Sequence, residues 1–247
     1  MYMFLNKMSF FVIIVASFDQ PVYLDLIKFR KEQLKKYNIP HAFVYDTDPP
    51  SGFVCDGNDH IFKRPSVPEQ IDVIHPEYNP HMILKFLKTL HVIPIHMYDY
   101  FIRVNLSTFI NFSLLRANLL VAPRANYTAG YNICVSLPDW CVSSRPSDVI
   151  NFISGACMIF SRDIIEYFKS LSFGNPLFYT HNDDVILSHL IKQKGIDIHH
   201  MDMYPVENDM PILDMNCIIY RIKHHYDRYK DIGVWKQLLK KIDGLDV

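Results

Sequence analysis

The feature that most constrains this fold is an apolar run, a helical pattern and a second apolar run, in that order, near the start of the chain. Residues 10–16 are uninterrupted by any polar side chain, as in a strand that is buried on both faces. Residues 22–37 repeat apolar side chains at helical spacing, with Lys and Arg on the opposite face. Residues 41–45 form the second apolar run. A strand, a helix and a strand in succession predict a parallel βαβ unit and therefore an α/β fold.

The same alternation continues through the chain. Further strands are predicted at residues 100–103, 157–160, 196–199 and 217–222, and further helices at 80–93, 162–171, 185–194 and 235–242. A helix-like continuation is predicted after Ser107, and residues 112–121 are predicted as a helix followed by a strand at 119–122. A loop is predicted over residues 123–149, and a short piece at 152–154 precedes Gly155 and the strand at 157–160. We therefore expect a single α/β domain over residues 1–247, with a mostly parallel central sheet flanked by helices. The opening strand, helix and strand are typical of a nucleotide-binding half, which is predicted to cover about 8–112, with a second half at about 113–247.

Composition excludes several classes of protein. The 247 residues are 49% hydrophobic and 21% charged, which is typical of a globular protein. A net charge of −1 gives no overall positive field, so no nucleic-acid partner is expected. The chain has neither GxGxxG after the first strand nor a GxxxxGK sequence, so a dinucleotide fold, a kinase or an NTPase is not expected.

The setting of the protein is predicted from its apolar segments and cysteines. The uncharged run at residues 8–18 is shorter than the ~20 residues that a membrane-spanning helix needs. The five cysteines have no CxxC spacing, which favours free thiols in a reducing compartment, although a Cys134–Cys141 disulfide stays open. We expect no membrane span and a cytoplasmic, bacterial or virus-encoded setting.

Residues 97–111 should lie at the functional edge of the sheet. They read as a buried strand that ends in a polar break, Asn105-Leu106-Ser107. The carboxyl ends of parallel strands open onto a crevice where α/β proteins bind ligands. Ser17, after the first strand, and Asp46 and Asp48, after the second, would face the same crevice and bind the base or ribose of a nucleotide. The aspartates would equally suit an ordinary turn.

Two other clusters of charged residues have either a chemical role or an ordinary structural one. Asp183 and Asp184 precede a helix, where one carboxylate could cap the helix and the other act as a general base. The late YRIKHH segment places Arg221 and Lys223 beside an apolar strand, where they bind phosphate or form a solvated face. The predicted loop at 123–149 contains Trp140, and loops of this length are usually functional.

Several segments in order resemble the β-1,3-galactosyltransferase and Fringe-type glycosyltransferases, which have the GT-A fold. They are LKFLK at 84–88, DYFIR at 99–103, TFIN at 108–111, FISGACMIFSRD at 152–163 and DDV at 183–185. The resemblance covers roughly residues 80–200. It implies transfer of a sugar from a nucleotide-sugar donor, a UDP- or GDP-sugar, to a hydroxyl of a glycan or glycoprotein, with inversion.

The resemblance also implies roles for individual residues. Asp184 would be the general base, and Lys85 and Arg103 would lie on the donor side with Asn105 and Ser107. Ser154, Gly155, Asp183 and Trp140 would lie on the acceptor or sugar side. The family holds a divalent cation, Mn²⁺ or Mg²⁺, and a late histidine stands near that cation. His200 and His224 are the candidates here, together with Asn105 and Ser107.

The chain departs from the family at its acidic triplet, which here reads Asn105-Leu106-Ser107. Hard cations prefer at least one carboxylate, and neither Asn nor Ser carries charge. Two interpretations follow. Cationic side chains stabilise the leaving diphosphate in place of the metal. Alternatively, the protein is a catalytically inactive nucleotide- or carbohydrate-binding protein that kept the fold.

Overall fold

The computed structural model describes residues 8–62, 81–136, 149–179, 181–206, 216–224 and 226–247. The strands in these ranges are β1 Phe10–Val15, β2 His41–Tyr45, β3 Asp59–Ile61, β4 Tyr100–Asn105, β5 Thr108–Ile110, β6 Thr128–Ser136, β7 Val149–Ser161, β8 Ile198–His200, β9 Met203–Val206 and β10 Ile219–Ile222. The α-helices are α1 Val22–Lys36, α2 His81–Thr89, α3 Phe112–Val121, α4 Arg162–Lys169, α5 Asp183–Gln193 and α6 Lys230–Leu238.

Seven strands form the central sheet, in the order β3-β2-β1-β4-β7-β6-β8. The pairs β3–β2, β2–β1, β1–β4 and β6–β8 are parallel, and only the two pairs that involve β7 are antiparallel. A small second sheet has the order β5-β10-β9. The predicted α/β class, with a mostly parallel central sheet flanked by helices, is confirmed.

The core has two layers because side chains alternate along each central strand. On β1, Val12 and Ile14 face the layer that contains α1, α3, α6 and the small sheet. Ile13, between them, faces the layer that contains α2, α4 and α5. A strand buried on both faces needs an unbroken apolar sequence, which explains the run at residues 10–16.

The parallel register of β1 with β4 positions the functional edge. Val15, the last residue of β1, lies opposite Asn105, the last residue of β4, and also opposite Val44 of β2. The segments that follow these strands therefore emerge side by side at one edge of the sheet. Residues such as Ser17 and Ser107, far apart in sequence, are brought to the same end.

Three local predictions between Ser107 and Ser161 are wrong. Residues 108–110, predicted as part of a helix-like continuation after Ser107, form strand β5, which pairs with β10, whereas the helix predicted at residues 112–121 is present as α3. Asn111 caps that helix by accepting from Leu114 N at 3.2 Å, and the helix continues over the strand predicted at 119–122. Strand β6 occupies part of the predicted loop at 123–149 because it pairs with β7 and β8, which lie far along the chain.

The remaining elements differ mainly in their bounds. Strand β7 runs unbroken through Gly155, where two short pieces were expected, and β9 was not predicted. Helix α6 starts at Lys230, earlier than predicted, and a π-helical turn, Leu239–Asp243, follows it. Cys134 carries a free thiol. In the described part of the chain, no helix is both long and apolar enough to cross a bilayer. The cytoplasmic setting stays a prediction.

A buried polar network fixes strand β5 to helix α1. The Arg30 guanidinium is fully buried, donates to the carbonyl of Thr108 and to Gln33 Oε1, and lies over the Trp235 ring at 4.6 Å. Gln33 Nε2 donates to the carbonyl of Ile110 at 2.9 Å and to Asp243 Oδ2 at 2.7 Å. Burial lowers the pKa of Arg30 to about 9. The network therefore holds the strand that follows the Asn105–Ser107 turn.

The contact between β6 and β7 predicts the effect of a single methyl group. A Cβ added at Gly130 would lie against the Ile153 side chain and 2.7 Å from the Cys157 carbonyl oxygen. We expect Gly130→Ala to lower the free energy of unfolding by about 1–3 kcal/mol, measured by urea denaturation.

The matched control is Gly233→Ala, in helix α6, where an added Cβ meets nothing within 4 Å. This variant should gain about 0.5–1 kcal/mol from helix propensity. Equal stability of the two variants would contradict the packing described for β6 and β7.

Candidate active site

A cleft of about 240 Å³ opens at the carboxyl edge of β1 and β4. It lies between the end of β1, the β4–β5 turn, the middle of β7, the start of α5 and the segment after β10. The sequence-predicted residues that line it are Ser17, Lys85, Asn105, Ser107, Ser154, Gly155, Asp184, Arg221 and Lys223. Six distant parts of the sequence therefore meet at this cleft.

Arg103 and Asp183 form a buried ion pair beneath the cleft. Arg103, on β4, is fully buried, and it donates to Asp183 Oδ2 and to the carbonyl of Gly155. Neither Arg103 nor Asp183 is among the residues that line the cleft. The pair ties the central strand to β7 and to the start of α5, so its two charges compensate each other and leave the cleft surface to other residues.

Asp184 faces the cleft and is held by two backbone donors. Its Oδ2 accepts from Gly155 N at 3.1 Å, and its Oδ1 accepts from Val185 N at 2.9 Å. Burial, and then the neighbouring Asp183 charge, raise the pKa of Asp184, and the hydrogen bond from Gly155 partly opposes this rise. A carboxylate in a cleft with a raised pKa is suited to accept a proton near neutral pH.

Helix capping does not account for the two aspartates. Asn182 occupies the N-cap position of α5 but makes no side-chain capping hydrogen bond. Asp183 is directed to Arg103, and the Asp184 side chain bonds only the adjacent Val185 N within the helix. The alternative of a simple cap is therefore less favoured than a role for Asp184 in the cleft.

Gly155 is required by the approach of these groups to β7. A Cβ at this position would lie 3.2 Å from Arg103 Nη1 and 3.2 Å from Asp184 Oδ2. The sequence suggested that glycine lets the backbone approach a sugar. The close neighbours that the structure places there are the arginine and the carboxylate.

Lys85 connects the ends of the first two strands. Its Nζ donates to the Ala16 carbonyl at 2.9 Å and to Asp46 Oδ1 at 3.2 Å. Burial lowers the pKa of Lys85, and the Asp46 charge opposes this change. Asp46, predicted to bind ribose or base, therefore bonds a lysine of the cleft, whereas Asp48 is exposed and is not among the cleft residues.

Strand β10 and the segment that follows it give the cleft a positive charge. Arg221, Lys223 and Arg228 all line it. Within the described ranges, neither Arg221 nor Lys223 forms an ion pair with a carboxylate, whereas Arg228 Nε donates to Asp231 Oδ2 at 2.6 Å. Tyr23 lies under the Arg228 guanidinium at 5.5 Å. This arrangement favours a ligand that carries negative charge.

The residues present do not fit the divalent cation that the resemblance implies. Asn105 Oδ1 is buried and has no hydrogen-bond partner, but it is an amide oxygen, and Ser107 offers only a hydroxyl. His200 is exposed on β8, off the cleft, and His224 Nδ1 bonds Asp231 at 2.7 Å. Considering the described residues alone, no group of three His, Cys, Asp or Glu could hold a metal ion. Mg²⁺ and Mn²⁺ prefer carboxylate oxygens.

Some residues near the cleft were not singled out from the sequence, and one predicted residue cannot be placed. Tyr23, Met82, Leu106 and Thr108 line the cleft. Tyr23 had a usable signal, because the first turn of a helix after a parallel strand faces the crevice. Asp231 had no such signal, because only the folded turn brings it together with His224 and Arg228. Trp140 lies outside the described residues.

The buried ion pair predicts a large asymmetry between two aspartates. Asp183→Asn leaves the Arg103 guanidinium buried without a compensating charge, and should lower the free energy of unfolding by about 3–5 kcal/mol. Asp197→Asn, at an exposed carboxylate off the cleft, should change it by less than about 0.5 kcal/mol. Urea denaturation of the two variants measures the difference, and similar values would argue against the pair.

Comparisons with known proteins return similar structures but no family. No family model matches the chain, and no curated protein matches it. One similar solved structure is a glycosyltransferase involved in the glycosylation of the major capsid of PBCV-1. It has 9% sequence identity and a TM-score of 0.47, over 93% of this chain and 99% of that one.

Two further structures extend the comparison. The catalytic domain of Drosophila β1,4-galactosyltransferase 7, in complex with xylobiose, has 10% identity and a TM-score of 0.39, over 90% of this chain and 73% of that one. The 2-C-methyl-D-erythritol 4-phosphate cytidylyltransferase from Thermus thermophilus has 11% identity and a TM-score of 0.43, over 92% of this chain and 98% of that one. With scores this low, these likenesses carry no argument about activity, which rests on the cleft.

Proposed function

We propose that this protein is a glycosyltransferase with a GT-A-like fold. It transfers a sugar from a nucleotide-sugar donor, a UDP- or GDP-sugar, to a hydroxyl group of a glycan or glycoprotein, with inversion. The observation that carries the proposal is one cleft, at the carboxyl edge of parallel strands, that holds both Asp184 and the cations Arg221 and Lys223. The nucleoside of the donor is assigned to the half at about 8–112 and the acceptor to the half at about 113–247, which also supplies Arg221 and Lys223 to the diphosphate.

The chemistry follows from the position of Asp184. The acceptor hydroxyl oxygen attacks the anomeric carbon of the donor sugar while Asp184 takes the hydroxyl proton. The bond from that carbon to the diphosphate oxygen breaks, and the leaving nucleoside diphosphate keeps the electron pair. Attack from the face opposite the leaving group inverts the configuration. The raised pKa of Asp184 makes it a stronger base than an ordinary aspartate.

Negative charge that develops on the leaving diphosphate needs stabilisation. Arg221, Lys223 and Arg228 line the cleft, and Asp231 holds Arg228 in place. Positive charges positioned before the reaction stabilise a developing anion. Asn105 and Ser107 provide uncharged hydrogen-bonding groups in the turn where the family has carboxylates. We therefore assign to cationic side chains the role that a divalent cation has in the family.

The second candidate is a catalytically inactive nucleotide- or carbohydrate-binding protein. It is favoured by the neutral Asn105 and Ser107 side chains alone. A binding protein has no need for a buried carboxylate that faces the ligand with a raised pKa, because that charge costs stability and repels phosphate. Screening UDP- and GDP-sugars first by thermal shift and then for turnover separates the two. Donor binding without any donor consumption would support the inactive protein.

Removal of the proposed base should separate binding from chemistry. For a donor found in that screen, Asp184→Asn is expected to lower kcat by about 10²–10⁴-fold, because the proton acceptor is lost. Donor affinity, measured by calorimetry, should be retained, since the substitution removes a negative charge near the phosphates. The exposed Asp197→Asn is the matched control and should keep wild-type kcat. Unchanged turnover in Asp184→Asn would remove this residue from the mechanism.

The pH dependence of kcat provides an independent test of the same residue. Only the deprotonated carboxylate can act as base, so kcat should fall as the pH drops through the pKa of Asp184. Since burial and Asp183 raise that pKa, the fall should occur above the pH at which an ordinary aspartate protonates, about 3.9. Rates measured under donor saturation give the profile. A flat profile down to the ordinary range would contradict the raised pKa.

A further inference from the structure

Asp231 holds two side chains beside the cleft through both of its carboxylate oxygens. It is fully buried in the first turn of α6. Its Oδ1 accepts from His224 Nδ1 at 2.7 Å and from His224 N at 3.0 Å, and its Oδ2 accepts from Arg228 Nε at 2.6 Å. A single carboxylate thereby fixes an imidazole and a guanidinium side by side.

Each of these two side chains keeps a second nitrogen without a partner. His224 Nε2 and Arg228 Nη2 are both buried and have no hydrogen-bond partner among the described residues. His224 as a whole is only 4% exposed. A buried polar group left unpaired costs about 1–3 kcal/mol, so this arrangement is not explained by stability. Two unpaired nitrogen atoms on neighbouring side chains are what a binding site for a polar ligand requires.

The two side chains lie where the cleft continues outward. With Lys223 and Tyr23 they line a second pocket of about 620 Å³, and Tyr23, Lys223 and Arg228 also line the cleft. The pocket includes two exposed acidic residues, Asp19 and Asp227, whereas the two unpaired nitrogen atoms are buried, one on the buried His224 and one on the partly buried Arg228. A ligand that extends from the cleft into this pocket would therefore reach His224 and Arg228.

We propose that His224 and Arg228, positioned by Asp231, form a subsite for one phosphate group of the nucleoside diphosphate. This assignment rests on the proposed function and identifies residues that hold the leaving group. Phosphate oxygens accept hydrogen bonds from Arg228 Nη2 and from the N–H of His224 Nε2. Charge-assisted bonds of this kind are shorter and stronger than neutral ones.

A metal ion is a poorer occupant of this place. A histidine whose Nδ1 is bonded to a carboxylate is also typical of a metal ligand. Here the same carboxylate also bonds the Arg228 guanidinium, whose positive charge would repel a divalent cation. Asp231 is already engaged through both oxygens, and no other described carboxylate or histidine completes a set of three with His224.

Calorimetric titration with inorganic pyrophosphate in excess EDTA tests the subsite without any sugar transfer. The wild-type protein should bind pyrophosphate, and His224→Ala should weaken the binding about tenfold or more, as expected for the loss of one hydrogen bond to a charged group. Asp231→Asn should weaken it similarly, because both donors lose their anchor. His200→Ala, at an exposed histidine on β8, is the matched control and should bind like wild type.

The outcomes of these titrations separate a failure of the phosphate subsite from a failure of the proposed function. Because Asp231 is fully buried, its variant is interpreted only if its circular dichroism and melting temperature match wild type; the His224→Ala result otherwise decides alone. His224→Gln, which restores a side-chain N–H donor, should recover part of the affinity. Equal affinity of His224→Ala and wild type, no binding by wild type, or binding that appears only with Mn²⁺ would overturn the subsite. Absence of sugar transfer with intact pyrophosphate binding would instead overturn the proposed enzyme.

Discussion

The buried ion pair between Arg103 and Asp183 is the interaction on which the geometry of the cleft depends. A guanidinium inside the central sheet is tolerated only when its charge is compensated. Asp183 compensates the charge of Arg103, and the two Nη groups donate to Asp183 and to the carbonyl of Gly155, so one side chain of β4 fixes both β7 and the start of α5. Asp184, the next residue along the helix, is then directed into the cleft.

The two adjacent aspartates differ because their surroundings differ. Asp183 faces a positive charge below the cleft, whereas Asp184 accepts from two backbone N–H groups and faces open space. Asp183 in turn disfavours a second negative charge beside it, which contributes to the raised pKa of Asp184. Neighbouring carboxylates with separate environments are a common way to assign separate roles in acid–base chemistry. Asp183, which stabilises the fold through Arg103, thus also raises the pKa of Asp184, the residue that we propose as base.

The sequence predicts what local patterns determine and misses what distant partners determine. Strands β1, β2 and β4 were found because continuous apolar runs need no knowledge of their neighbours. Strand β6 was missed although its TAGYNICVS sequence alternates apolar with small or polar residues, because its Gly and Asn are typical of loops, and pairing with β7 and β8 makes it a strand. Within the site, strand ends located Ser17, Asn105 and Ser107. The ion pair that takes Arg103 away from the ligand joins residues that are 80 positions apart, which no local pattern reveals.

The neutral Asn105–Ser107 turn and the cationic segment after β10 together determine how the cleft can meet the negative charge of a diphosphate. A turn with two carboxylates needs a cation to approach a diphosphate, because otherwise negative charges would face each other. With neutral side chains there, that repulsion is absent, and fixed cations can meet the phosphates directly. Asp231 supports this by holding His224 and Arg228 in place before any ligand arrives, so little reorganisation is needed on binding. An uncharged turn is therefore compatible with the proposed catalysis as long as the positive charge comes from side chains that the fold itself positions.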